Sequence, residues 1–162
     1  MTAHVAPRAG DGRLQIAANK RALFKFTVLE KFEAGLELLG TEVKSLRDRA
    51  VAFGDSYAQF RGNQLYLVKL NIAPYEPASW ANHEPERPRR LLMHRRELDR
   101  LSGQLRQKGH ALIPAVLYFR KGWAKVELAL VTRRTGSDKR RAIRDRETRR
   151  DLDRARKSRG RD

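Results

Sequence analysis

Cysteine is absent from the 162-residue chain. That excludes disulfides, thiolate nucleophiles and cysteine-ligated zinc or iron–sulfur sites. Long apolar runs are missing as well. The longest, Ala111-Leu112-Ile113-Pro114-Ala115-Val116-Leu117-Tyr118-Phe119, falls well short of the ~20 residues that cross a bilayer as a helix. Residues 1–13 lack the apolar stretch of a signal peptide, so a cytoplasmic protein without membrane association is expected. There is no G-x-x-x-x-G-K-[ST], no G-x-G-x-x-G and no G-x-S-x-G, which argues against phosphate-cradling loops and a nucleophile elbow. His4, His83, His94 and His110 are not spaced as metal ligands. Glu33 and Glu37 are four apart, but Gly35 lies between them, so they read as turn and strand-edge residues. No catalytic residue, metal, cofactor or enzymatic activity is expected.

Acid is scarce relative to base. The 36 Lys and Arg face 19 Asp and Glu, giving a formal net charge of +17 and a pI of about 11.1. A chain of this charge binds polyanions, and the abundant cytoplasmic polyanion is nucleic acid. The excess is uneven: residues 133–162 hold 14 Lys and Arg against 6 acids. Ile143 and Leu152 are the only large apolar residues there, too few to offset the ordering entropy of a packed unit. Residues 1–13 also look loose. The expectation is a flexible N-terminus over 1–13, a folded domain over 14–132 and a basic tail over 133–162.

Within 14–132 short strands recur between turns. Arg21–Leu29 alternates Phe24, Phe26 and Val28 with Lys25 and Thr27, which is strand period. Leu36–Gly40, Asp55–Phe60, Leu65–Leu70, Leu112–Phe119 and Ala124–Leu130 read as further strands. Val43 and Leu46 suit a short helix over 42–47. Leu98, Leu101 and Leu105 recur on one face of a helix within Met93–Lys108, stopped by Gly109. Residues 73–90 hold four of the six prolines and read as a functional or disordered loop. Six short strands with one clear late helix suggest a mainly β, small antiparallel OB-like barrel. The runner-up is an α+β sandwich.

The nucleic-acid signals are clusters. Asn19-Lys20-Arg21 precedes the first expected strand. Lys44 and Arg47 lie one helical turn apart. Arg87, Arg89 and Arg90 end the proline-rich loop near Trp80 and His83, a mixture of cations and aromatics suited to RNA stacking.

Phe32-Glu33-Ala34-Gly35-Leu36 followed by Gly40-Thr41-Glu42-Val43-Lys44-Ser45-Leu46-Arg47 resembles the signature of the small protein B (SsrA-binding, tmRNA-binding) family. Asp55-Ser56-Tyr57, Ile72-Ala73-Pro74-Tyr75, Arg90-Leu91-Leu92-Met93-His94, Lys125-Val126 and Asp138-Lys139-Arg140 follow in that family's order. The resemblance covers roughly residues 16–147. It implies an OB-fold barrel with packed helices that binds the tRNA-like domain of tmRNA and brings it to stalled ribosomes for trans-translation. It also implies a tail, disordered in solution, that becomes helical in the ribosome's empty mRNA channel. Alanyl-tRNA synthetase and elongation factor Tu would be partners only through tmRNA, and the protein would be a monomer. The matched RNA-binding positions are Asn19, Lys20, Arg21, Glu33, Lys44, Arg47, Leu92 and Lys125; the matched tail positions are Asp138, Lys139 and Arg140. Asp138 suits an N-cap, with the tail helix starting at Lys139. Ser137 and Thr148 depart from the aromatic or His and the Trp that the family usually carries there. A general ribosome-associated RNA-binding protein or RNA chaperone is the alternative.

Overall fold

In the computed structural model of the chain, residues 12–159 are described, so most of the segment expected to be flexible, 1–11, lies outside them. The elements run β1 (Arg13–Ala18), α1 (Lys20–Lys25), β2 (Phe26–Leu36), α2 (Gly40–Arg47), β3 (Val51–Ala52), β4 (Tyr57–Arg61) and β5 (Gln64–Val68). They continue β6 (Asn71–Ile72), a 3₁₀ segment (Glu76–Ala81), β7 (Arg89–Leu92), α3 (Arg95–Leu105), β8 (His110–Arg120), β9 (Trp123–Arg133) and α4 (Gly136–Arg159).

The strands pair antiparallel in the order β1-β8-β4-β5-β7-β2-β9, and β9 returns to pair with β8. The result is a closed ring of six strands with β1 laid against β8, plus a separate β3–β6 pair. The chain is therefore mainly β, and one ring forms rather than two stacked sheets. Ring closure satisfies backbone groups that open edges would leave unpaired. Alternate residues point inward: Phe32, Ala34 and Leu36 of β2, Leu65 and Leu67 of β5, and Val126, Leu128 and Leu130 of β9 form the core. α3 adds Leu98 and Leu101 to it, as its apolar spacing requires.

The long apolar run of β8 has a cause in this arrangement. One face of β8 packs into the ring through Leu112, Leu117 and Phe119; the other, Ile113 and Ala115, lies with Ala129 and Val131 of β9 beneath Ala22, Leu23 and Phe26. A strand covered on both sides loses its polar alternation. The β8–β9 register shifts between Pro114 and Val116, a bulge that accommodates a residue with no N–H to donate.

Several expected elements need correction. Arg21–Lys25 is helix, not strand, because Asn19 caps α1 and the packed set Ala22, Leu23, Phe26 follows helical rather than strand period. Leu36–Gly40 is not a second strand: β2 runs unbroken through Leu36, and Gly40 opens α2. The loop 73–90 contains the 3₁₀ segment and the start of β7. The folded unit reaches one residue further at each end than 14–132, since Arg13 begins β1 and Arg133 ends β9. α4 starts at Gly136, three residues before Lys139.

Candidate nucleic-acid interface

Three of the residues singled out in the sequence meet on the outer face of the ring. Gly35 of β2 lies opposite Leu92 of β7 on one side and opposite Lys125 of β9 on the other. Lys125 in turn lies opposite Tyr118 of β8, which lies opposite Gln15 of β1. One lateral row thus runs Leu92, Gly35, Lys125, Tyr118, Gln15. A Cβ on Gly35 would stand 3.3 Å from the Leu92 Cβ, so glycine is what lets the exposed Leu92 side chain lie close against β2.

Glu33, two residues before Gly35, belongs to the same face. It is cross-strand to Glu127, a like-charge pair that would be unfavourable alone. Cations surround the two carboxylates. Lys31 Nζ reaches Glu127 at 2.9 Å, Arg120 Nη1 reaches Glu33 at 3.3 Å, and Arg13 reaches Glu33 at 3.5 Å and Glu127 at 4.0 Å. The Tyr118 hydroxyl donates to Glu33, and the Arg13 guanidinium stacks 4.7 Å from the Tyr118 ring centre. Burial, the bond to Glu33 and the Glu33 charge all push the Tyr118 phenol up, so it stays protonated and donating. Glu33 is thus an anchor that fixes Arg13, Arg120 and Tyr118 in place, with its cations still partly exposed. Trp123 opens β9 opposite Arg120 and is 74% exposed at the rim of this patch. The turn before it, Lys121 (φ 50°) and Gly122 (φ 80°), is the tight hairpin type that needs positive φ twice.

α1 lies further along the same outer face, over Ala129 and Val131, with Lys20 and Arg21 exposed. Asn19 does not join them. It is 7% exposed, its Nδ2 donates to Pro114 O at 3.0 Å, its Oδ1 caps α1 by accepting from Ala22 N–H, and its own N–H donates to Ala115 O at 2.7 Å. It clasps the carbonyls at the β8 bulge.

Lys44 and Arg47 are exposed on α2, as their spacing predicts. The helix is held from below by Glu42. That carboxylate has no exposed surface and accepts from Leu39 N–H (2.9 Å), Arg87 Nη2 (2.8 Å) and Arg89 Nε (2.9 Å). Arg89 is equally buried and also donates to Leu70 O and Pro85 O. His83 is buried too, hydrogen-bonded to Thr41 and to Ile72 O. So Arg87, Arg89 and His83, which the sequence suggests as RNA-facing, brace the proline-rich loop against α2 instead; Arg90 is paired to Glu37.

In the tail, Arg140 is exposed, while the side chains of Asp138 and Lys139 lie outside the described residues. α4 joins the body through Arg134, whose Nε donates to Phe26 O at 2.9 Å, and through Phe24, whose ring lies 5.6 Å from Arg134 and 5.4 Å from Arg146. Among the described residues no group of His, Asp and Glu could hold a metal, and no helix is long and apolar enough to cross a membrane.

Arg13, Gly35, Tyr118, Arg120, Trp123 and Glu127 are not among the residues singled out from sequence. A usable signal was present for some of them. A two-residue turn at Lys121-Gly122 sets the pairs Arg120–Trp123 and Tyr118–Lys125 by counting outward.

The comparisons agree with this architecture. The model of the SmpB protein family matches residues 16–158. An SsrA-binding protein of Myxococcus xanthus (strain DK1622) is 52% identical over 140 residues, covering 86% of each chain. That of Syntrophobacter fumaroxidans (strain DSM 10017 / MPOB) is 50% identical, covering 94% of this chain and 95% of its own. A chain of a solved structure described as "tmRNA-SmpB: a journey to the center of the bacterial ribosome" is 45% identical, with a TM-score of 0.65 over 82% of this chain and 95% of that one. By family match, identity and fold together, the chain belongs to the SmpB family.

Proposed function

We propose that the protein binds tmRNA at its tRNA-like domain and delivers it to stalled ribosomes for trans-translation. The observation that carries this reading is the convergence of Glu33, Leu92 and Lys125 on one outer face around Gly35. Those are the positions the family resemblance marks, in a chain 50–52% identical to SsrA-binding proteins over most of its length. The ring serves as an OB-like barrel whose outer face takes the RNA. Lys125, Arg13 and Arg120 supply charge to phosphates, Leu92 and Trp123 supply apolar contact to bases, and Glu33 holds the arginines. Lys20 and Arg21 extend the patch along α1, and Lys44 and Arg47 form a second set of phosphate contacts.

α4 serves the ribosome. Its charged residues are spread round the helix with no apolar stripe, and most of its described side chains are exposed. A 24-residue helix of that kind carries no apolar face with which to enter a core. It fits a surrounding wall of RNA, as in an empty mRNA channel, with Asp138, Lys139 and Arg140 in its opening turns. The protein acts without cofactor or catalysis, as a cytoplasmic monomer, and meets alanyl-tRNA synthetase and elongation factor Tu only through tmRNA.

The test is a gel-shift titration with the isolated tRNA-like domain against a large excess of bulk tRNA. Retained binding is expected, and Lys125→Glu weakens it without unfolding the protein. With roughly 5 phosphate contacts, log K falls against log salt with a slope of about −3.5 to −4.5. Equal affinity for tRNA and the tRNA-like domain would favour a general RNA chaperone instead.

A further inference from the structure

Trp80 is 94% exposed, more than any other large apolar side chain among the described residues. A lone exposed tryptophan on a slack loop would be unremarkable, but this loop is built. Asn82 closes it at the base: its Oδ1 accepts from Tyr75 N–H at 2.8 Å, and its Nδ2 donates to Tyr75 O at 2.8 Å and to Ser79 O at 3.2 Å. The next residue, His83, is buried and bonded to Thr41 of α2 and to Ile72 O. Ser79 adopts φ 50°, ψ −118°. That is the first central position of a type II′ turn, which glycine normally fills, and a serine there is strained. The surrounding bonds hold a tight, strained turn whose next residue is a tryptophan pointing away from the core.

The base of the loop meets a cation of α2. Lys44 of α2 lies 5.4 Å from the centre of the Tyr75 ring, at the clasped base of the loop. Arg47 and Arg49, at the end of α2, are exposed. Glu76 is exposed on the same loop, so the charge that attracts a polyanion comes from α2 and the aromatic surface from the loop. A flat, exposed ring on a braced loop whose base meets Lys44 of α2 is the arrangement that takes an unpaired base by stacking while a neighbouring cation neutralises the adjoining phosphate.

We propose that Trp80 is a stacking platform for an unpaired nucleobase, with Lys44 and Arg47 holding the adjoining phosphate. This subsite is distinct from the Glu33–Lys125 patch, and it rests on the reading of the protein as a binder of tmRNA's tRNA-like domain. An apolar protein partner would also cover an exposed tryptophan, but it would gain nothing from the α2 cations.

The test compares the native chain with Trp80→Phe, so that the difference between the two titrations reports Trp80 alone. Titration with the tRNA-like domain is followed by tryptophan fluorescence and, in parallel, by gel shift. Stacking quenches the emission. Trp80→Ala in the native chain loses roughly 10-fold in affinity, within the range for one stacked base, and Trp80→Phe keeps most of it. Saturable binding with unmoved Trp80 emission and an unchanged affinity for Trp80→Ala overturns the subsite and leaves the functional reading standing. If the native chain does not bind the tRNA-like domain, the functional reading fails. The subsite is then decided by single-stranded oligoadenylate: quenching that Lys44→Glu weakens supports it, and absence of quenching overturns it.

Discussion

Removing the Glu42 carboxylate is expected to destabilise the fold by about 3–5 kcal/mol, the range for stranding one member of a buried ion pair. The structure says why the upper part of the range applies. Glu42 and Arg89 have no exposed surface, and three separate groups donate to Glu42: the Leu39 N–H, Arg87 and Arg89. Glu42→Ala leaves Arg89 bonded to Leu70 O and Pro85 O, but buried without the carboxylate that pairs with it. It also deletes the cap on the first turn of α2 and the tie that holds the proline-rich loop. Glu42→Leu combined with Arg89→Met removes both charges together and recovers most of the loss. Urea unfolding, with the midpoint and slope fitted together, measures each variant. The pH dependence is a second check. Burial alone would raise the Glu42 pKa, but the bonds from Arg87 and Leu39 and the charge of Arg89 outweigh it and hold the carboxyl below its ordinary value. A depressed folded-state pKa gives stability that is fully present above the unfolded pKa of about 4.3. It is lost as pH falls through the lower folded value, so the gap between wild type and the double variant narrows only in acid. A cost below about 1 kcal/mol for Glu42→Ala at an unchanged unfolding slope would refute the bracing role, since that is the scale of a surface pair. So would a double variant as unstable as the single one.

Three further outcomes follow from the outer face and the tail. Glu33→Arg sets a third guanidinium beside Arg13 and Arg120 and weakens binding to the tRNA-like domain with the thermal midpoint nearly kept, whereas Glu33→Gln, still an acceptor for Tyr118, weakens it less; parallel gel shifts and thermal melts check both. Gly35→Val drives branched carbon into Leu92, 3.3 Å from the Cβ position, and is expected to cost about 1–3 kcal/mol and to displace Leu92, read as reduced affinity in the fraction that stays folded by circular dichroism. A chain ending at Thr135 keeps β9 and the Arg134 bond to Phe26 O, binds the tRNA-like domain nearly as well as the full chain, and fails to support peptide tagging in a stalled-ribosome translation assay; normal tagging would show that α4 is dispensable.

What could be read from the sequence was local and periodic. α3 announced itself through Leu98, Leu101 and Leu105, and the β4–β5 and β8–β9 hairpins through their glycine turns. What could not be read depended on tertiary placement. Phe24, Phe26 and Val28 alternate as a strand does, yet Asn19 finds two β8 carbonyls at the Pro114 bulge and caps a helix there, so the strand starts only at Phe26. Arg87 and Arg89 look like any surface arginines until Glu42, 45 and 47 positions away, is brought beneath them. A cation's partner is set by topology, and one-dimensional clustering does not distinguish a brace from a binding face. The candidate site divided the same way. Leu92, Glu33 and Lys125 came from a family motif, but what brings them to one face, the row Leu92–Gly35–Lys125 with Glu33 two residues before Gly35, is a property of register.

The presence of two carboxylates at the centre of the surface proposed to take phosphate follows from the same register. Long basic side chains lose rotamer freedom when they bind, at a cost of about 0.5–1.5 kcal/mol each. A basic patch without acids meets that cost in full for every contact. Here Glu33 holds Arg13, Arg120 and the Tyr118 hydroxyl, and Glu127 holds Lys31, so part of the ordering is complete before RNA arrives. The carboxylates repel phosphate, but Arg13, Lys31 and Arg120 are already held beside them, and with Lys125 the four cations outnumber the two acids. Such a surface loses some non-specific attraction, because its net field is smaller than a bare cluster of arginines would give. It gains discrimination, because an RNA must present its phosphates where the arginines already stand. A protein that must select one structured RNA from a large excess of tRNA needs that exchange.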